Sequence, residues 1–569
     1  MDSVAAPSST PLSQLDKTLA RVKEGARPFA RLSLEARIRL LQSVREGYRT
    51  VAEECVRAAC AAKGIDFHSP LSGEEWLLGP MITLRTVRLL LESLEDIRRL
   101  GAPRIDRSWL RTLPDGRLAV KVFPTTSLDA VLLAKQQAEV YMQPGVTAEN
   151  LREHQASFYR KPHQGRLCLV LGAGNVSSIP PMDCLYKMFV EGMVCVLKMN
   201  PVNAYVGPFL ERVFQAPIDQ GYFAVVYGGA EEGSFLVNHP LVDEVHITGS
   251  DKTLDVMVWG PPGPEHDERK KKNQPLLQKG ISCELGNITP VIVVPGPYEE
   301  GELAYQGTNV AGMVAQNASF NCTAAKLLVT SRSWSQRQRF IDLVAAGLER
   351  AGPRKAYYPG TPERWTKLSQ GRAKVRLIGT EKEGALPYAL LLDVDATRLD
   401  DTVFSQEPWS PVLSETALAG GDPREFLEAA VDFVNRHVWG TLACSLIVHP
   451  KTHAEHGPAV EKAIEKLRYG SVCVNTWSGA AYGLGTVPWG GHPSSTLQNI
   501  QSGRGWVHNT FMLEDIEKAV LRAPVKAFPI APWFPGHRTL HQLAKKLLEM
   551  ELHPSWLKVP GIAASAMRG

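Results

Sequence analysis

Cysteine is scarce, at nine in 569 residues, odd in number and without CxxC spacing. A disulfide framework and a zinc cluster are therefore excluded, no metal site is expected, and a reducing compartment, the cytoplasm, is indicated. Long apolar runs are missing. No stretch approaches the roughly 20 residues that cross a bilayer, and Met1 to Lys17 has no basic region followed by an apolar core, so neither a membrane span nor a secretory leader is expected. Charge of one sign is missing too, because 63 basic against 59 acidic side chains leave +4. No nucleic-acid partner follows from that balance. The densest basic run, Arg269 to Lys272, lies among Glu265, Asp267 and Glu268 and is expected to be a solvated loop. There is no internal repeat.

What is present is the composition of a soluble globular enzyme, 44% hydrophobic and 21% charged. At about 150 residues per domain the length allows roughly three to four units. Residues 1–15, rich in Ser, Pro and Ala, are expected to be a flexible N-terminus. From Leu15 to about Gly101 the apolar spacing is helical, as in Ile38, Leu41, Val44 and in Val87, Leu90, Leu91, Leu94. Arg104 to Phe123 alternates like a hairpin or an extended arm. Short Val/Ile/Leu runs follow at Leu167 to Leu171, Met193 to Leu197, Phe223 to Val226 and Val245 to Ile247, separated by helical stretches, which is the rhythm of a parallel sheet. That rhythm resumes with Pro290 to Val294, Lys326 to Val329 and a helix from Ser335 to Arg350, so a second α/β layer begins near 288. Asp422 as N-cap, Pro423 at the first helical position and Glu425 behind it open another helix. After 503 come a proline-rich segment, Ala523 to Pro535, and an amphipathic stretch, Leu540 to Leu552, suited to wrapping a neighbouring subunit.

Chemistry is first suggested at Leu171-Gly-Ala-Gly-Asn-Val-Ser, where a strand enters a glycine turn that could face a dinucleotide. The GxGxxG fingerprint needs a third glycine and an acid about 20 residues on to hold a ribose hydroxyl. Ser177 takes the glycine's place and the next strand ends in Lys198, so an ordinary Rossmann site is disfavoured.

Four segments taken together change that reading: Gly174-Asn175, Lys198 to Pro201, Ile247-Thr-Gly-Ser250 and Glu284-Leu-Gly-Asn-Ile-Thr-Pro290. Farther on stand Asn317-Ala-Ser-Phe-Asn-Cys322, Gln406-Glu-Pro-Trp-Ser-Pro-Val412, Val474-Asn-Thr-Trp477 and Pro488-Trp-Gly-Gly491. In this order and near this spacing, from about 165 to 505, they resemble the aldehyde dehydrogenase superfamily. The resemblance implies an α/β fold with a Rossmann-type dinucleotide-binding domain over 16–287, carrying an arm segment at about 104–165. A catalytic domain over 288–502 and an oligomerisation tail over 503–569 would follow. It implies NAD(P)-dependent oxidation of an aldehyde to a carboxylic acid, with Cys322 as nucleophile and Glu284 as the base that activates water. The Asn175 amide and the Cys322 backbone N–H would hold the oxyanion. Lys198 would bind the adenosine ribose, Gly249 and Ser250 would approach the pyrophosphate, and Glu407, with Trp409 beside it, would hold the nicotinamide ribose. Trp477 and Trp489 would line the aldehyde channel. The cofactor would be NAD or NADP. Members that prefer NAD carry an acid where this chain has Pro201, so NADP should be accepted at least as well. The partners implied are a small-molecule aldehyde and further copies of the chain, as a homodimer or homotetramer.

The departures mark a divergent branch. Asp251 to Leu254 lacks the second glycine of the family's GSTxxG turn, Ser319-Phe320 replaces a glycine-glutamine pair, Trp409-Ser410 replaces an aromatic-glycine pair, and Gly260 to Lys279 is an insert. Two other readings stay open. One is a fatty acyl-CoA reductase or CoA-acylating dehydrogenase, against which Glu284 argues. The other is a catalytically silent dinucleotide-binding or assembly protein, against which the full set of Asn175, Glu284 and Cys322 argues.

Overall fold

The computed structural model describes residues 7–133, 135–382 and 384–569. Its frame is two sheets. In the smaller one, Gly280–Leu285, Glu244–Gly249, Leu167–Leu171, Val194–Lys198 and Phe223–Val226 run parallel in that order. Parallel neighbours need a crossover between them, which the helices Ile179–Phe189 and Ala230–Asn238 help to supply. Strand order reverses at Leu167–Leu171, and a crevice opens at the carboxyl ends on either side of such a point. The pairs Leu171↔Lys198, Leu171↔Ile247 and Gly249↔Leu285 bring the glycine turn, Lys198, Gly249 and Glu284 to one rim of the sheet.

The larger sheet has the order Leu110–Thr112, Leu118–Phe123, Gln137–Met142, Ile516–Arg522, Ser471–Val474, Ala443–Ile447, Thr289–Val293, Ala325–Ser331, Val412–Leu418, Tyr388–Leu391, Val375–Ile378. From Ile516–Arg522 through Tyr388–Leu391 all neighbours are parallel. The first three strands form an antiparallel arm. Ile516–Arg522 lies between Gln137–Met142 and Ser471–Val474 and joins the arm to the chain's own sheet. Val120, Val122, Phe123, Val140, Tyr141 and Met142 are buried by this closure, each worth about 1.5–3 kcal/mol of apolar burial.

The segment beyond 503 is likewise no peripheral tail. Gly503–Arg504 pairs with Cys283 and Glu284 in the smaller sheet, and Ile516–Arg522 sits inside the larger one. The N-terminus is ordered earlier than expected within 1–15, because Thr10 donates to Tyr227 and a helix begins at Leu12; residues 1–6 lie outside the described residues. Arg269 to Lys272 ends a helix, Pro264–Lys272, rather than lying in a loop. No helix among the described residues is long and apolar enough to cross a membrane.

The N-terminal helices form as their spacing dictates. Leu15, Leu19, Val22, Ala26 and Phe29 fall on one face of Leu12–Ala30 and are buried with the core of the smaller sheet. Leu34–Lys63 starts at Ser33, whose hydroxyl accepts from the Ala36 N–H, and stops at Gly64, whose positive φ of 67° closes the helix end. Lys63, the last residue of that helix, is thereby pointed inward.

Candidate active site

The sheets meet where Glu284, near the end of Gly280–Leu285, faces Cys322, in the turn between the helix Glu300–Ala315 and the strand Ala325–Ser331. Glu284 is buried, and the Trp489 indole N–H donates to its carboxylate at 3.1 Å. Burial, then the nearby Asp183 charge, pushes its pKa up to about 8, while the Cys322 thiol and Trp489 pull the other way. Cys322 alone among the nine cysteines is not fully buried. Its thiol stands well above the ordinary value through desolvation and the acids Glu284 and Glu407, with Lys326 opposing them. Both groups are therefore held neutral near pH 7.

The turn before Cys322 is unusual. Asn317, Ala318 and Ser319 take φ of 52°, 55° and 70°, a left-handed run without one glycine, and each such residue costs roughly 1–2 kcal/mol. Side chains hold it there. The Ser319 hydroxyl donates to Val314 O at 2.6 Å. Lys326 Nζ donates to Ser319 O at 3.2 Å and Asn321 O at 3.0 Å. The Asn317 amide spans Phe320 O at 3.1 Å and Asn321 Oδ1 at 3.0 Å, and the Asn321 amide bonds the Gln316 side chain. Thr289 fixes Cys322 itself by donating to its carbonyl at 2.9 Å.

Asn175 lies in the glycine turn after Leu167–Leu171, against that same segment. Its amide donates to Phe320 O at 2.9 Å, leaving one N–H uncommitted. Gly174 has to be small, since a Cβ there would meet Asn200 Oδ1 at 2.6 Å. Sequence reasoning missed what stands behind Asn175. Lys63 and Tyr357 donate to its carbonyl, Glu75 accepts from Lys63, and Glu74 and Arg354 lie beside them. It also missed the buried acid Asp183, which accepts from Thr248 Oγ1 at 2.8 Å, with His246 Nε2 at 3.4 Å.

On the other side of Cys322, Glu407 is pushed up to about 7 by burial, against the opposing charge of Lys326. Glu407 Oε1 and Trp409 Nε1 are both buried without a hydrogen-bond partner. An orphaned acceptor and an orphaned donor are costly unless a ligand satisfies them, and a ribose hydroxyl would suit the carboxylate. Trp409 holds its place with a φ of 42°, its ring 6.3 Å from that of Phe320. Lys198 is nearly buried at its strand end, near Glu232 and along the open face of Gly233. Gly249 and Ser250 are exposed, and Ser250 caps the helix Asp251–Trp259 by accepting from Lys252 N at 3.2 Å. These groups fit a dinucleotide laid along the rim. The two tryptophans do not sit as expected. Trp489 is fully buried and committed to Glu284, and Trp477 is buried with its indole donating to Thr323 O at 2.7 Å, so both brace the site rather than line an open channel.

A sequence model of the aldehyde dehydrogenase family matches residues 125–350. The chain is 27% identical over 238 residues to a 4-trimethylaminobutyraldehyde dehydrogenase of Oryzias latipes. That match covers 40% of this chain, and the chain spans only 43% of the relative's length. Among solved structures, the aldehyde dehydrogenase KauB from Pseudomonas aeruginosa superposes with a TM-score of 0.59 at 18% identity, covering 91% of this chain and 90% of that one. Over residues 125–350 the chain carries the sequence of the aldehyde dehydrogenase family, and it has that family's fold. An NADP-dependent glyceraldehyde-3-phosphate dehydrogenase from Bacillus halodurans, solved with NADP, shares this aldehyde dehydrogenase fold at a TM-score of 0.59 and 16% identity, over 90% and 92% of the two chains. Lys63, Glu75, Arg354 and Tyr357 all fall outside the stretch that the family model matches.

Proposed function

We propose that this protein is an NAD(P)-dependent dehydrogenase that converts an aldehyde to a carboxylic acid through a thiohemiacetal and a thioester on Cys322. The observation that carries the reading is a sealed carboxyl, Glu284, raised to about 8 beside the one accessible thiol. Cys322 Sγ adds to the carbonyl carbon as the thiolate, its proton going to solvent. The oxygen that gains charge is held by the Cys322 N–H and the free N–H of Asn175. When bound, the cofactor supplies a hydride acceptor; Lys198, Glu407 and Trp409 would hold its riboses, and Gly249 and Ser250 its pyrophosphate. The ionised form of Glu284 then removes a proton from water as the water oxygen adds to the acyl carbon, and the C–S bond breaks, the proton passing to the departing Cys322 sulfur. In this reading the smaller sheet is the dinucleotide-binding unit and the larger sheet the catalytic one.

A panel of aldehydes assayed by absorbance of the reduced cofactor, with and without CoA, tests the proposal. Cys322→Ala should abolish turnover. Glu284→Gln should give a single burst and then stall, since general-base help is worth roughly a hundredfold to ten-thousandfold. Preferential formation of acyl-CoA by the unmodified enzyme would replace hydrolysis with the CoA-linked alternative. Pro201 supports acceptance of NADP, and NAD binding tenfold tighter would overturn that part. A cytoplasmic setting is supported by nine unpaired cysteines. A homodimer is supported by the exposed apolar residues Trp556, Leu557 and Met567.

A further inference from the structure

Two buried elements that lie outside the matched family stretch converge on the proposed oxyanion site. One is the N-terminal helical layer, which delivers Lys63, Glu74 and Glu75; the other is the segment after the helix Arg337–Ala351, which delivers Arg354 and Tyr357. The Lys63 ammonium places its three protons on three acceptors: Glu75 Oε1 at 2.8 Å, Asn175 O at 3.1 Å and Asn317 Oδ1 at 3.0 Å. The Tyr357 hydroxyl reaches the same two acceptors, Asn175 O at 3.1 Å and Asn317 Oδ1 at 3.0 Å. The Asn317 amide also donates to Asn175 O at 3.1 Å. Beside them Glu74 accepts the Asn317 backbone N–H at 3.1 Å and the Arg354 guanidinium at 2.7 Å, and Arg354 in turn reaches Ala315 O at 3.2 Å. Two cations and two carboxylates cancel, so the cluster costs little net charge in an interior that would not tolerate one alone.

We propose that Lys63 and Tyr357 are positioning residues that lock the Asn175 turn to the left-handed Asn317–Ser319 turn and so fix the distance between the Asn175 amide and the Cys322 N–H. This rests on the reading of those two groups as the oxyanion donors. The cluster grips each turn at a carbonyl or an amide rather than at a side chain that touches substrate, so it acts through Asn175 and Cys322. Its contribution appears where the oxygen is charged and is absent from binding of the neutral aldehyde. An error of about 1 Å in such a donor pair costs on the order of a hundredfold in rate.

Tyr357→Phe removes one hydroxyl and keeps the ring that meets Phe320 edge-on. The double variant Lys63→Met with Glu75→Gln removes the ion pair without stranding a charge. Each should bind NADP, followed by quenching of tryptophan fluorescence, as the unmodified protein does. Each should keep KM for the aldehyde within about twofold while kcat falls tenfold to a hundredfold. Because the double variant is the one at risk of not folding, Tyr357→Phe decides the matter alone if it melts within a few degrees of the parent. A folded Tyr357→Phe with unchanged kcat overturns the proposal, as does a loss confined to KM or one matched by a lower folded fraction. If the unmodified protein oxidises no aldehyde, the functional reading is what fails. Iodoacetamide alkylation of Cys322, mapped by mass spectrometry, then still tests the clamp: the same variants should change its rate at fixed pH, and an unchanged rate in both overturns it.

Discussion

Burial keeps Glu284 neutral against the pull of Cys322, and burial together with Glu284 keeps Cys322 neutral, which makes the site quiet at rest. The carboxyl's pKa is raised to about 8 and the thiol's lies well above 9, so alkylation of Cys322 should be slow at pH 7 and climb in alkali. Glu284→Gln takes away the acid that raises the thiol. The variant should therefore be alkylated faster than the parent at pH 8, and an equal or slower rate would contradict the coupling. The same shift has a stability sign. A carboxyl whose folded pKa is raised stabilises the fold below its ordinary value of 4.5, and that contribution is lost as pH rises through about 8. The melting temperature of Glu284→Gln should consequently gain on that of the parent between pH 5 and 8. These two residues were legible in the sequence because the chemistry allows few residue types at fixed intervals. Lys63, Glu75 and Tyr357 were not, since they hold main-chain carbonyls and a turn amide, and a carbonyl looks alike behind every side chain. Trp489 was legible as a residue and misread in its role, because an indole that braces a carboxylate and one that lines a channel occupy the same place in a motif.

Elements with an apolar face announced themselves, and those held by charge did not. Leu167–Leu171 and Leu540–Leu552 follow the hydrophobic pattern to the residue. Pro264–Lys272 carries almost no apolar face. Its support is the pairs Arg269–Glu265 at 2.8 Å and Lys272–Glu268 at 2.6 Å, with Lys270 reaching Asp255 on the preceding helix. The arm escaped for another reason: alternation shows that Arg104 to Phe123 is extended, but not whose sheet it joins. The helix Leu540–Leu552 is fastened in a way that can be measured. Glu551 bonds Arg85 at 2.9 Å and Arg88 at 2.6 Å, and Arg85 also pairs with Asp129 at 3.0 Å, all largely buried. Glu551→Ala takes one acidic partner from each arginine, leaving Asp129 to Arg85 and Glu92 to Arg88, and should cost about 1–3 kcal/mol. Denaturant unfolding should show a loss of that order, and a loss below about 1 kcal/mol would mean that the arginines find other acceptors.

Across the whole molecule, the two sheets share their residues in an order that crosses the chain back and forth. Helices from the first hundred residues reach the proposed nucleophile's turn, and Gly503–Arg504 returns to brace the strand of Glu284. The weld at Ile516–Arg522 concerns time as well as space. This strand is made after both of its neighbours, Gln137–Met142 and Ser471–Val474, which it joins into one sheet. Until it emerges, the nascent chain presents two unpaired strand edges, the kind of surface that templates association with other chains. A protein ended by a stop codon after residue 510 should therefore collect in the insoluble fraction, and supplying residues 511–569 as a separate polypeptide in the same cell should return part of it to solution. Synthesis of the chain is a race between that strand and the neighbouring copies on the same message.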